Sequence, residues 1–394
     1  MKPLLPLEEA QERLIAMATR LPSESVPVAE ALGRYLAKDL VAKRSQPAAD
    51  MSAMDGYAIA FDDRAGPWKL VGECKAGSPP STPIKPGQTA RIFTGALLPQ
   101  GADTVVMQEN VEEDGGLIRL IDEPSPVKGR HVRHKGGDFQ AGDVALSVGT
   151  TLTAAALGHA VIAGADMLCV GHAPSIAILS TGDELVAPGT DTQPHQIPAS
   201  NDIMIAAMLA QLPVRTRSIS RIRDDMDSLC AALESAKDCD VIVTIGGASV
   251  GDHDLVAPAF EKLGGETDFW KIAMKPGKPL MAGKLGKSLV LALPGNPGSA
   301  FVTATLFLLP LIRYLAGAST YLPLMQNAIS NAPLPATTQR AEFLRANVDG
   351  SGITPYNSQD SAKLSILAAA NALLYRPARS PEQQPGAKVS YIAI

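Results

Sequence analysis

Residues 288–300, SLVLALPGNPGSA, join a continuous apolar run to a glycine loop that opens a further apolar helix. Two similar units come earlier in the chain: residues 175–179 lead into STGDEL, and residues 240–245 lead into GGASVGDHD. Continuous apolar strands that alternate with helices are typical of a parallel sheet covered on both faces. We therefore predict a three-layer α/β domain, built on a parallel sheet, across about residues 174–315.

The sequence on either side of this predicted sheet has different residue patterns. Apolar residues recur at helical spacing over residues 7–17, and a second helix is predicted at residues 28–40. Between residues 45 and 143, short β-like runs alternate with glycine and proline turns, as in a small β-rich domain. Residues 141–170 are predicted to return to helix, and the residues after 323 to form a small terminal barrel or sandwich.

Composition limits the class of protein. A chain of 394 residues suggests two to four domains, and its net charge of −5 argues against nucleic-acid and membrane-surface binding. Its four cysteines are scattered without a CxxC pair, which favours a reducing cytosol over a disulfide framework or a zinc cage. The N-terminus becomes charged too soon for a signal peptide. The longest apolar stretch contains His159 and Asp166, so we expect a soluble cytoplasmic protein.

The three glycine loops are expected to bind an anion. Ligands of open parallel sheets bind beyond the carboxyl ends of the strands, where these loops lie. Glycine permits close backbone approach, and a loop that enters a helix presents free N–H groups. A single loop of this kind is more often a plain connector, but three at one sheet edge favour a ligand site. The loop residues predicted to bind an oxyanion or other substrate group are Gly182, Asp183, Gly246, Gly247, Ser249, Gly251, Pro294, Gly295, Asn296 and Ser299.

Charged residues accompany the loops. The segment WKIAMKPGKP, residues 270–279, concentrates Lys271, Lys275 and Lys278, which are expected to neutralise phosphate or an oxyanion as point charges. Carboxylates in the same region otherwise cap helices or face water, but beside phosphates they suit Mg²⁺ as hard oxygen ligands. A second group of motifs consists of SAMDGYA at residues 52–58 and TGALLPQGAD at residues 94–103. Both are typical of turns, and spacing alone does not connect them to the glycine loops.

Together, in this order, these motifs resemble the molybdopterin molybdenumtransferase family, called MoeA in bacteria and found as the C-terminal domain of gephyrin. The resemblance covers essentially the whole chain and implies four domains. They are a discontinuous helical domain (residues 1–47 and 142–172), a β-rich domain (48–141), an α/β molybdopterin-binding domain (173–322) and a C-terminal β-barrel domain (323–394). It also implies a homodimer whose active cleft lies between the sheet domain of one subunit and the β-rich domain of the other.

The resemblance further implies a reaction: Mg²⁺-dependent insertion of molybdate into adenylylated molybdopterin, with release of AMP. Glu184, Asp224 and Asp254 would orient substrate or hold the metal, and Arg345 and Ser361 would complete the molybdate pocket. Transient contacts with the molybdopterin adenylyltransferase and with cofactor-receiving proteins are expected. The catalytic residues implied by motif position are Asp55, Thr94, Glu184, Asp224, Asp254, Lys271 and Lys275.

The chain departs from the family pattern at Ala199, where an aspartate often stands, and at Ala362, where a small polar residue or glycine is common. Two other functions stay open. A molybdopterin adenylyltransferase would use the same sheet, although it needs neither the β-rich insertion nor the terminal domain. A non-catalytic scaffold for cofactor handover would have no need for the opposed acids and lysines.

Overall fold

The computed structural model describes residues 4–79, 82–121, 127–247 and 255–394. Its α-helices are α1 (Leu7–Met17), α2 (Ala154–Ile162), α3 (Asn201–Leu209), α4 (Met226–Ala236), α5 (Val256–Lys262), α6 (Pro297–Thr303), α7 (Leu309–Leu315) and α8 (Leu364–Ala369). The strands of the N-terminal half are β1 (Ser23–Pro27), β2 (Leu40–Val41), β3 (Met51–Ser52), β4 (Gly56–Ile59), β5 (Trp68–Cys74), β6 (Gln88–Ile92), β7 (Thr104–Met107), β8 (Val111–Asp114), β9 (Leu117–Leu120), β10 (Val132–Arg133), β11 (Val144–Leu146) and β12 (Met167–Gly171). Those of the C-terminal half are β13 (Ser175–Thr181), β14 (Leu185–Val186), β15 (Ile197–Pro198), β16 (Arg215–Ile222), β17 (Val241–Ile245), β18 (Glu266–Trp270), β19 (Met274–Lys275), β20 (Met281–Leu285), β21 (Ser288–Leu293), β22 (Met325–Ile329), β23 (Ala341–Asp349), β24 (Gly352–Pro355), β25 (Ala372–Arg376) and β26 (Lys388–Ala393).

The central sheet has six strands in the order β16-β13-β17-β21-β20-β18. Its first four strands are parallel, as predicted, whereas β20 pairs antiparallel with both β21 and β18, so the sheet is mixed. A tight turn at Gly286, where φ is +59°, returns the chain directly from β20 into β21, and such a hairpin makes neighbouring strands antiparallel.

Helices cover both faces of this sheet. Leu14 of α1, Ile205 of α3 and Phe307 are fully buried against one face. Leu233 of α4 and Phe260 of α5 pack on the other. The three-layer arrangement follows because β13, β17 and β21 are buried along their lengths and need apolar cover on each side.

The helical stretch Pro297–Leu315 consists of α6, one π-helical turn at Ala304–Leu308, and α7. Within the described residues it is the helix long and apolar enough to cross a membrane, and 78% of its most apolar window is buried inside the protein. Core helices pass the same test of length and composition, so this is weak evidence for a membrane span.

The predicted helix at residues 28–40 is wrong. Only Val28–Glu30 forms a short 3₁₀ turn, because Gly33 has a φ of +75° that breaks a right-handed helix. Strands β1 and β2 instead pair with β12 and β11, which bring the N-terminal segment against residues 144–171. In that second segment only α2 is helical, so the prediction of helix across residues 141–170 is also wrong in part.

The described residues form two further six-stranded sheets. The β-rich part has the order β7-β4-β6-β5-β9-β8, and Asp55 lies in the turn between β3 and β4. The terminal sheet has the order β19-β23-β25-β26-β22, with β24 paired to β23. Because β19 comes from the KPGKP region, this sheet is joined directly to the central domain. An isolated β-bridge joins Ser330, directly after β22, to Ile353 of β24. Closure of this sheet into a barrel remains a prediction.

Candidate functional site

A cavity of about 800 Å³ lies at the carboxyl ends of β13, β17 and β21, where the three glycine loops meet. Its size is in the range of small-molecule and cofactor sites. Loop residues predicted from the sequence line it: Gly182, Glu184, Asp224, Gly246, Gly247, Pro294, Gly295 and Asn296.

The glycine loops pack closely, and at Gly246 there is no room for a side chain. Gly246 has a φ of +92°, and a Cβ there would lie 2.6 Å from the Thr181 carbonyl oxygen. A Cβ on Gly295 would lie 3.6 Å from Gly246 Cα, so these two loops are in contact. Glycine is therefore needed at Gly246 for the cavity wall to form.

Hydrogen bonds join the STGDEL loop to the segment that follows β16. Thr181 Oγ1 donates to Asp224 Oδ1, and the Asp183 amide donates to Asp224 Oδ2 at 3.4 Å. In return the Asp224 amide donates to Asp183 Oδ1 at 3.2 Å. Asp183 is not among the residues that line the cavity. Its carboxylate instead fixes the loop that presents Asp224.

The donor set of this corner suits a hard cation. Glu184 and Asp224 both line the cavity, and Glu184 folds back over Gly182, where a Cβ would lie 2.5 Å from Glu184 Oε2. Two carboxylates that leave room for substrate phosphate are the usual protein contribution to a Mg²⁺ site. No group of three potential ligands occurs within the described ranges. The predicted third ligand, Asp254, lies outside them, as do Ser249 and Gly251.

The segment that leads into α3 supplies a wall that was not predicted from the sequence. Asn201 Nδ2 donates to the Gly295 carbonyl oxygen at 2.6 Å, which ties this helix to the PGNPGSA loop. Asn201 Oδ1 is buried without a hydrogen-bond partner. Residues 197–201 all line the cavity, Ala199 among them. In the sequence, this wall was indicated only by IPASND, residues 197–202, a polar cluster before an apolar helix.

The terminal part of the chain reaches the cavity at the start of α6. The Gly298 amide donates to the Ser361 carbonyl oxygen at 2.8 Å, and a Cβ on Gly298 would lie 2.9 Å from that oxygen. Ala362 and Leu364, which follow, line the cavity. Ser299 is 6% exposed and does not line it. Backbone N–H groups at the start of α6 were predicted to bind an anion. The Gly298 N–H is already bonded to Ser361 and Pro297 has no N–H, so neither position can donate to an anion.

The predicted lysines are not among the residues that line the cavity. Among the described residues that line it, the charged ones are Glu184 and Asp224, and both are acidic. Lys275 Nζ lies 3.6 Å from Glu342 Oε1, and Lys278 is exposed beside the lining residue Pro279. Lys271, half-buried with a φ of +79°, also lies off the lining. An anion in the cavity therefore needs positive charge from its margins.

Arg345 is a buried positive charge on β23, held against the segment that leads to Ser361. It is 1% exposed, and neither Nη1 nor Nη2 has a hydrogen-bond partner. Its backbone amide and carbonyl are both bonded to the Gln359 side chain, at 2.9 and 3.0 Å. Burial lowers the pKa of Arg345, while the Asp360 carboxylate raises it. An unpaired buried guanidinium is costly, so the site suits an anionic ligand.

Asp55 and Thr94 lie together, but away from the cavity lining of this chain. The backbone amide and the hydroxyl of Thr94 both donate to Asp55 Oδ1, at 2.7 and 2.8 Å. These two bonds hold the pKa of Asp55 below its usual value, and the positive charge of Arg91 acts in the same direction. The pair thus presents an ionised, exposed carboxylate on the β-rich part.

Fold and cavity define a multidomain protein whose central α/β sheet carries a small-molecule site at its glycine loops. Residues 5–164 match the MoeA N-terminal region (domain I and II), 177–314 a probable molybdopterin binding domain, and 327–394 the MoeA C-terminal region (domain IV). The chain therefore belongs to the MoeA family.

Named relatives cover nearly the whole chain. The molybdopterin molybdenumtransferase 2 of Mycobacterium tuberculosis is 33% identical over 94% of this chain and 95% of its own length. The molybdopterin molybdenumtransferase of Bacillus subtilis is 30% identical over 99% and 94%. Among solved structures, a molybdopterin biosynthesis MoeA protein from Pyrococcus horikoshii has a TM-score of 0.79 at 30% identity, with 99% of each chain covered.

Proposed function

We propose that the protein is a molybdopterin molybdenumtransferase, which inserts molybdate into adenylylated molybdopterin and releases AMP. The observation that carries this proposal is the meeting of Gly182, Gly246, Gly247 and Gly295 in one cavity at the carboxyl edge of the sheet. It is supported by the family to which the chain belongs and by the names of its relatives. The four domains take the boundaries that the resemblance implies.

The reaction breaks a phosphoanhydride, so negative charge increases on the departing phosphate. Backbone amides of the glycine loops would stabilise that charge as fixed dipoles. Arg345 and Ser361 would hold the molybdate oxyanion, with Lys275 and Lys278 at the margin. Glu184 and Asp224 would hold Mg²⁺, which when bound would neutralise phosphate oxygens.

A second copy of the chain would complete the site with Asp55 and Thr94, which do not line the cavity of their own subunit. An interface is supported by large apolar side chains exposed around the N-terminal segment and residues 144–171. Isolated exposed apolar residues are common, but this concentration suits burial against another subunit. The exposed side chains are Leu32, Val41, Val144, Val148, Val161, Ile162 and Met167. A cytoplasmic location and transient contacts with the adenylyltransferase and cofactor-receiving proteins belong to this proposal.

AMP release from adenylylated molybdopterin, measured anaerobically, tests the function. We expect release that requires molybdate, stops when EDTA removes the metal, and returns with Mg²⁺. Formation of adenylylated pterin from ATP and molybdopterin would instead indicate an adenylyltransferase. Binding of the pterin without AMP release under any metal or oxyanion condition would indicate a handover scaffold.

A further inference from the structure

Arg91 is placed between the two segments that carry Asp55 and Thr94. On β6 it lies opposite Tyr57 of β4, the second residue after Asp55. Its guanidinium stacks over the rings of Tyr57 and Phe93, at 5.1 and 4.9 Å from their centroids. Phe93 immediately precedes Thr94. One side chain therefore packs against both segments of the Asp55–Thr94 pair.

The hydrogen bonds of Arg91 fix the same turn. Nη1 donates to the carbonyl oxygen of Gly56 at 3.0 Å, and Nη2 donates to Gln108 Oε1. The backbone amide of Gln108 in turn donates to the Asp55 carbonyl oxygen at 3.2 Å. The turn is thus held on both sides of Asp55. A planar guanidinium can donate and stack at once, which a lysine cannot reproduce.

We propose that Arg91 is a positioning residue for the reaction, which fixes the Asp55–Thr94 pair in the orientation needed at the cleft. This inference rests on the proposed function and deepens it. Both terminal nitrogens of Arg91 are engaged in hydrogen bonds to Gly56 and Gln108, so it acts through Asp55 rather than on substrate.

Charge adds to the geometric argument. Asp55 is faced by Thr94 from the turn after β6, by Gln108 from the short helix after β7, and by Arg91 from β6. Arg91 is the positive group that lowers the pKa of Asp55, after the two hydrogen bonds from Thr94. Loss of this charge raises the pKa of Asp55. As the pH is lowered, a reaction that needs the ionised carboxylate would then begin to lose activity at a higher pH than in the wild type.

The test compares Arg91→Met, Arg91→Lys, Asp55→Asn and the double variant, each assayed for AMP release across a range of pH. We expect Arg91→Met to lower kcat by about 10- to 100-fold, the cost of a displaced catalytic group, with KM little changed. Its acid limb should move to higher pH. Arg91→Lys should keep the acid limb near that of wild type and recover only part of kcat. Arg119→Met, an exposed arginine on β9 of the same sheet, is the matched control.

The double variant separates positioning from general stability. If Arg91 acts through Asp55, adding Arg91→Met to Asp55→Asn causes no further loss in kcat. Multiplied losses, or a fall in kcat matched by a fall in folded protein on thermal unfolding, would overturn the proposal. So would an Arg91→Met protein with wild-type kcat and pH profile. A wild-type protein that releases no AMP would overturn the proposed function as well.

Discussion

Lys275, which is predicted to bind an anion, forms an ion pair with Glu342. It begins the connection between the central and terminal sheets, and Glu342 holds it at 3.6 Å. The lysine side chain is 51% exposed, so this ion pair contributes little to folding. A lysine held so weakly can turn toward an incoming anion at small cost.

We expect Lys275→Ala to raise the KM for molybdate far more than it lowers stability. A lost charge-assisted contact costs about 1.5–3 kcal/mol, which is about 10- to 150-fold in affinity. The measurement is AMP release against molybdate concentration, with thermal unfolding alongside. Lys287→Ala is the control, because Lys287 lies in the β20–β21 turn at the opposite end of β21. Full activity of Lys275→Ala at limiting molybdate would contradict the role.

At the scale of elements, the junction between α6 and the terminal segment forms one wall of the cavity. Gly298 permits this junction because its missing side chain leaves space for the backbone of Ser361. Ala362 and Leu364 are thereby kept at the cavity. Ala362 is also one of the two departures from the family pattern, and the other, Ala199, lies on the wall made by α3. Both departures therefore change the lining itself.

Gly298→Ala should displace this wall. A methyl group 2.9 Å from the Ser361 carbonyl oxygen forces the backbones apart, which costs about 1–3 kcal/mol by the general rule for overpacking. We expect a higher KM for adenylylated molybdopterin in steady-state assays, together with a lower midpoint in urea. Gly350→Ala, at a position with open space and no positive φ, is the control. An unchanged KM in the Gly298 variant would show that the terminal segment is not part of the site.

The sequence predicted elements well where local pattern dominates. The apolar runs of β13, β17 and β21 and the loops after them were visible because buried strands exclude polar residues. Strand β16, RTRSISRI, was missed because an edge strand carries polar residues that hide its period. Residues 197–201, Ala362 and Leu364 were not predicted to line the cavity, since only the tertiary fold brings them to the glycine loops.

At the scale of the whole molecule, the Asp55–Thr94 pair and the Glu184–Asp224 pair lie in different parts of the chain. Only the second pair lines the cavity of its own subunit. A site divided in this way can be completed by the symmetry of a dimer, in which each subunit supplies one half to its neighbour.

Mixed dimers test this division. Asp55→Asn and Glu184→Gln proteins should each release little AMP. After subunit exchange, half of the dimers are mixed and one of their two clefts is intact, so about one quarter of wild-type activity should return. Mixing Asp55→Asn with Thr94→Ala is the control and should restore none, because both changes affect the same half. Absence of rescue in the first mixture, with exchange verified by mass spectrometry, would contradict a shared cleft.

The π-helical turn at Ala304–Leu308 ties the cavity to the deep core. Such a turn contains one residue more than an α-helical turn, so the helix before it is rotated by about 100° relative to an uninterrupted helix. If this turn became α-helical with the same number of residues, that rotation would swing Gly298 away from Ser361 while leaving every lining residue in the chain. The backbone conformation of this buried turn is therefore as much a determinant of the binding surface as the identity of the lining residues.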